Sequence, residues 1–170
     1  MLARLKRILR HRWLDESDVG RAVPPDLLER LTRRVAASEK RHSGEIRIYV
    51  EAGLPTSYLW RNAAARERAV ALFGKLGVWD TEANNGVLIY LMLAEHAIEI
   101  VADRGISRHV APEEWQRVVG HMSDTFRAGR FEDGLTQALE EVSALLVQHF
   151  PLREGQAHDT NELPDRPVLG

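Results

Sequence analysis

Between Val78 and Gly105 a polar loop is followed by an unbroken apolar run and a second, shorter apolar stretch, and the rest of the pattern arranges itself around them. Val87 to Leu93 is apolar throughout and of strand length, which predicts a strand buried on both faces at the centre of a sheet. Ala97 to Ala102 follows after Ala94-Glu95-His96, a link far too short for a crossover, so these two strands form an antiparallel hairpin. Upstream, Glu45 to Ala52 alternates, with Ile46, Ile48, Val50 and Ala52 on one face and Glu45, Arg47, Tyr49 and Glu51 on the other. It reads as a strand with one polar face. Thr56 or Ser57 can cap a helix of about five turns carrying Tyr58, Ala65, Ala69, Leu72, Phe73 and Leu76, which Gly77 ends. Strand, helix and buried strand make a right-handed crossover, so 45–52 and 86–93 run parallel.

Helical spacing marks the remaining elements. Pro24-Pro25 opens a helix with Leu27, Leu28, Leu31 and Val35 as its stripe and Gly44 as its stop. Another runs from Pro112 to Gly129 on Trp115, Val118, Val119, Met122 and Phe126, and a last one carries Leu135, Ala138, Leu139, Val142, Leu145 and Leu146. The expected fold is α/β: a three-layer α/β/α sandwich over residues 21–150, with a small mixed sheet made of a parallel βαβ unit plus an antiparallel hairpin strand. Residues 151–170 hold three prolines and no apolar period, which predicts a disordered tail. Residues 1–20 make a basic amphipathic helix and linker. There Leu2, Leu5, Leu9 and Trp13 recur at helical spacing beside Ile8, among Arg4, Lys6, Arg7, Arg10 and Arg12. That stripe has two uses open to it: packing on the domain itself, the commoner outcome, or contact through Leu2 to Leu14 with an anionic membrane or a membrane-associated protein. The acidic run at 15–18 ends it.

Composition narrows the function classes. With 170 residues the chain has room for one domain, and a net charge of -2 gives no bias toward nucleic acid, so no nucleic-acid partner is expected. The chain has no cysteine, which removes disulfides, a thiolate nucleophile and cysteine-bound zinc. The N-terminus interleaves basic and apolar residues instead of reading as a secretory signal, and no apolar run reaches spanning length. The expected place is therefore cytoplasmic, with room for peripheral contact at the inner face of the membrane.

Chain direction then decides which polar groups meet. Two parallel strands start at one end of the sheet and the reversed third finishes there, which brings Glu45, Asn85 and Asp103 together. The loop Asp80 to Gly86 and the helix end bearing Glu39 and His42 feed into the same rim. Oxygen groups of this kind suit calcium or magnesium, or acid-base work. Asp103, Arg104 and Glu45 are the catalytic candidates; Glu39, Asn84, Asn85 and Asp80 the ligand-binding ones; Asp103, Glu45, Asp80 and Glu82 the metal ones. The plainer alternative is that Asn84-Asn85-Gly86 is turn chemistry and that Asp103 pairs with Arg104 or caps the next turn. An EF-hand is ruled out, since Asn85 stands where its turn glycine belongs and Leu91 where its bidentate glutamate belongs. The histidines at 11, 42, 96, 109, 121, 149 and 158 show no ligand spacing and are expected mostly at the surface or at helix ends.

The segments S-E-K-R-H-S-G-E-I-R-I-Y-V, N-N-G-V-L-I-Y-L with E-I-V-A-D-R-G-I, and F-R-A-G-R-F-E-D-G-L resemble the TPM domain family over about residues 24–150. Its best-described members are thylakoid-lumen phosphatase-like proteins of plants, alongside many bacterial ones. The resemblance implies an α/β/α sandwich and matches the family at Glu39, Glu45, Asn85, Gly86, Asp103 and Gly105. It also implies either acid phosphatase activity with divalent-cation binding or an accessory role at membranes. Where many relatives have a glycine-tyrosine-glycine turn, this chain has Asp103-Arg104-Gly105. The reading carried forward is an accessory or binding module acting with a membrane-associated partner. The alternative is a metal-assisted, acid-phosphatase-like hydrolase using the acidic rim.

Overall fold

A computed structural model describes residues 2–152 and 161–170. In chain order it contains α1 (Leu2–Trp13), α2 (Glu16–Ala22), α3 (Pro25–Glu39), β1 (Ile46–Glu51), α4 (Thr56–Trp60), α5 (Ala65–Lys75), β2 (Val87–Met92), β3 (Ala97–Ala102), α6 (Arg104–Ser107), α7 (Pro112–Arg127), α8 (Phe131–His149) and β4 (Val168–Leu169). The sheet order is β3-β2-β1-β4. β1 pairs with β2 in parallel, Ile46 opposite Val87, and β2 pairs with β3 antiparallel, Val87 opposite Ala102.

Two cores flank the sheet because β2 is apolar on both faces. Val87, Ile89 and Leu91 join Ile46, Ile48 and Val50 in one core, covered by α2, α3, α7 and α8. Leu88, Tyr90 and Met92 join Leu59, Ala69 and Leu72 of α4 and α5 in the other. The result is the expected three-layer arrangement.

Three expectations need correction and one needs adding to. The helix between β1 and β2 is two helices, broken where Asn62 takes a left-handed φ of 55°. The acidic run at 15–18 starts a helix, because Asp15 accepts from Ser17 N and Asp18 accepts from Asp15 N in a capping box. The polar face of β1 is present as read, but it is covered: Glu45, Arg47 and Glu51 are all buried. Finally, the expected disordered tail is ordered in part. Pro151 bridges His42, and Val168–Leu169 adds a parallel edge strand to β1. Tyr49 and Val50 supply the ladder, and Leu163 is buried against the second core, so ten residues without helical period still find a place. Residues 153–160, over which disorder was also expected, lie outside the described residues.

Candidate functional site

The rim forms where β1 and β2 begin and β3 ends. Val87 N–H donates to Glu45 O at 2.9 Å, Asp103 N–H to Gly86 O at 2.9 Å, and Gly105 N–H to Asn84 O at 2.8 Å, so three segments far apart in sequence are joined through their backbones. Such close approach needs glycine. A Cβ on Gly86 would run into the Val78 carbonyl, and one on Gly105 into the Ala83 and Asn84 carbonyls. Asn84 itself sits at a left-handed φ of 52°, a conformation asparagine tolerates.

The side chains at this rim turn mostly inward, onto backbone N–H groups. Asp103 caps α6, its Oδ1 accepting from Arg104 N at 2.6 Å, while its Oδ2 is buried without a partner. Asn85 Nδ2 donates to Ser43 Oγ at 3.3 Å, and Asn85 N–H to Thr81 Oγ1 at 3.1 Å. Glu39 accepts from Ile46 N at 3.0 Å. Burial, together with the nearby charges of Glu45 and Asp165, pushes its carboxyl up to about 8. Glu45 takes the N–H groups of Glu162 at 3.3 Å and Leu163 at 3.2 Å, and burial also raises its carboxyl against those bonds.

The other candidates stay outside. Asp80, Glu82, Asn84 and Arg104 are exposed, and Glu82 enters the network only through its N–H, which the Glu162 carboxylate accepts at 2.9 Å. Arg104 pairs with no carboxylate among the described residues. Asp103 therefore acts as a helix cap and not as its ion-pair partner. No three His, Asp or Glu side chains group as metal ligands among the described residues. Asp103, Glu45, Asp80 and Glu82 share an edge without forming a cage.

Sequence reasoning missed three polar centres. Glu51 lies between Arg68, whose Nε donates at 3.0 Å, and the Tyr90 hydroxyl, which donates at 2.8 Å. His42 is fully buried with neither ring nitrogen bonded, and burial drops it to about 4. His11 is buried too: its Nδ1 accepts from Leu54 N at 3.0 Å, so Nε2 carries the proton toward Glu95 at 2.9 Å. Both histidines lie at helix ends, one of the two places expected, His11 in the last turn of α1 and His42 just past α3, but both are buried there. Only the unusual Tyr90 inside an otherwise aliphatic strand hinted that a polar partner was needed.

His11 belongs to the docking face of α1. Arg7 Nε donates to Glu95 at 2.6 Å and Arg7 Nη1 to Asn62 at 2.9 Å, while Arg4 stacks over the Trp60 ring at 5.6 Å. Helical spacing then leaves the apolar stripe on the opposite side. Leu2 is 76%, Leu5 54%, Leu9 50% and Trp13 84% exposed. Packing of those four residues on the domain, the commoner expectation, is thus overturned: α1 docks through Arg7, His11 and the partly buried Ile8, and leaves Leu2, Leu5, Leu9 and Trp13 bare.

A family model described as the TPM domain matches residues 19–145. The chain belongs to the TPM domain family. The six positions that carry the resemblance, Glu39, Glu45, Asn85, Gly86, Asp103 and Gly105, all fall inside the matched part and all lie at the rim just described. Two features fall outside it, α1 and the segment 161–170. The NMR structure of BA42 protein from the psychrophilic bacterium Bizionia argentinensis is similar, with 26% identity and a TM-score of 0.74, over 87% of this chain and 95% of that one. The N-terminal domain of a P. gingivalis protein, at 16% identity and a TM-score of 0.61 over 85% of this chain and 97% of that one, shares the fold. No curated protein matches the chain.

Proposed function

We propose that this chain is a TPM accessory module without catalytic chemistry of its own, which lies on an anionic membrane surface at the inner face of the membrane through α1 and meets a membrane-associated partner there. The bare stripe of Leu2, Leu5, Leu9 and Trp13 carries this reading. Lys6 and Arg10 border it on one side and Arg12 on the other, the arrangement of a helix that lies in the headgroup plane. Asp15 and Asp18 lie beyond the end of this face in the α2 capping box, and Asp18 is paired with Arg21. No helix among the described residues is long and apolar enough to cross a membrane. Each half-inserted apolar side chain contributes ~1 kcal/mol and each basic group near anionic lipid about 1 kcal/mol, which suits reversible, micromolar-range attachment.

Co-sedimentation with vesicles tests this. Phosphatidylglycerol vesicles should retain the full chain at low salt and phosphatidylcholine vesicles should not, and Leu5→Ser with Leu9→Ser should abolish retention while leaving the fold intact. No retention by anionic vesicles overturns the membrane reading. Turnover of a phosphomonoester with magnesium that disappears in Asp103→Asn would replace it with the hydrolase.

A further inference from the structure

The outer edge of β1 is closed in an unusual way. Among the described residues only Val168 and Leu169 form ladder pairs with it, opposite Tyr49 and Val50, and Gly170 extends them, its N–H donating to Val50 O at 2.9 Å and its carbonyl accepting from Ala52 N at 3.2 Å. Below that point two buried charges replace the ladder. The Glu45 carboxylate accepts the consecutive N–H groups of Glu162 and Leu163, and the Arg47 guanidinium donates to the carbonyls of Pro164 and, at 2.9 Å, Arg166. Glu45 and Arg47 are two residues apart, so they share one face of β1 as an acceptor and a donor spaced along an extended guest. Where the guest does not reach, the outward N–H of Ile46 is closed by Glu39 instead.

Such contacts read backbone, which any extended chain offers. Side chains are read at few points: Leu163 is buried in the second core, Pro167 is buried, and the Glu162 carboxylate meets Glu82 N–H. Asn161, Pro164, Arg166 and Leu169 remain exposed. Main-chain bonds plus a few anchoring pockets are the pattern by which sheet edges take up peptides. We propose that the β1 edge is a peptide-binding groove, held in cis by residues 162–169. It accepts from a partner an extended segment, parallel to β1, with glutamate-leucine followed four residues on by proline-valine. The inference is independent of α1 and of membrane binding.

Charge-to-backbone contacts make exchange feasible, because water can rehydrate Glu45 and Arg47 when the segment leaves, whereas a wholly apolar cap would leave a dry scar. The tether sets the competition. A segment covalently joined to its own groove competes intramolecularly, so an intact chain should exclude free peptide.

The test uses the full chain carrying a protease site within 153–160, cleaved after folding, and a fluorescent peptide of residues 161–170 followed by anisotropy. Cleaved protein should take up the peptide saturably, at least 100-fold more tightly than uncleaved protein, and a peptide with Leu163→Ala should bind at least tenfold more weakly. Uncleaved protein bearing Leu163→Ala and Pro167→Ala should gain the ability to bind the wild-type peptide. The proposal is overturned if cleaved protein binds a scrambled peptide equally, or loses its own segment and either unfolds or takes up no peptide. A peptide-sensitive dimer of the uncleaved variant would also overturn it, assigning the groove to a second copy of this chain instead of a partner.

Discussion

At the rim, polar side chains are drawn inside; on α1, large apolar ones are left outside. Glu39, Glu45 and Asp103 give oxygens to the backbone N–H groups of Ile46, of Glu162 and Leu163, and of Arg104, so each bond fixes the position of a chain segment. Buried polar groups of this kind must be satisfied, and here the satisfaction is what joins the strands to their loops. Leu2, Leu5, Leu9 and Trp13 hold nothing in place, since α1 is anchored by Arg7 and His11 on Glu95. Burial ties the rim side chains to the fold, whereas a large exposed apolar row costs solubility unless something covers it, and the proposed membrane contact rests on that difference.

That contrast can be broken from either side. The largest effect is expected at the same inward-polar pattern on the sheet, where Arg68→Ala leaves Glu51 buried and unpaired beside Tyr90. Urea unfolding should show a loss of about 3 kcal/mol; a loss below ~1 kcal/mol would mean that the inward polar groups do not hold the fold. Next comes pH. Glu39 rises from 4.5 to about 8 on folding, so its contribution is complete below pH 4.5 and is lost as pH climbs through 8. Glu39→Gln should flatten this decline, a difference on the order of 3 kcal/mol at pH 8. His42 acts at the other end. Its fall from 6.5 to about 4 gives stability that is present above pH 6.5 and lost as pH drops through 4, and His42→Phe should remove that acid limb. Asp103→Ala removes the α6 cap, and thermal unfolding should report about 1 kcal/mol. Smallest of all, Leu5→Ser and Leu9→Ser should each change stability by no more than ~0.5 kcal/mol. A larger loss would show that the stripe packs on something in the domain.

Chain direction at the sheet was legible because length rules settled it: three linking residues cannot cross over, and a helix-length link must. Those rules brought the segments bearing Glu45, Asn85 and Asp103 to one rim, where backbone bonds join Val87 to Glu45 and Asp103 to Gly86. They carry no information on where a carboxylate turns, and so Glu45 looked like a ligand although its partners are N–H groups 117 and 118 positions away. Segment 161–170 escaped for a related reason. Two ladder pairs and one buried leucine leave no periodic trace, and its hold depends on Arg47 and Glu45, whose partners on the polar face of the strand the spacing does not name. On α1 the spacing announced an apolar face correctly but not its direction. Glu95 decides that, by drawing Arg7 and His11 inward, and nothing in the helix itself points to Glu95.

Tryptophan emission measures the exposed face most directly. Trp13, 84% exposed and bordered by Arg10 and Arg12, should shift to the blue when phosphatidylglycerol vesicles are added. The shift should vanish in Trp13→Phe, which leaves Trp60, Trp79 and Trp115 in place, and should weaken steeply with salt. Emission unchanged by anionic vesicles, or a shift that survives in Trp13→Phe, would contradict the account.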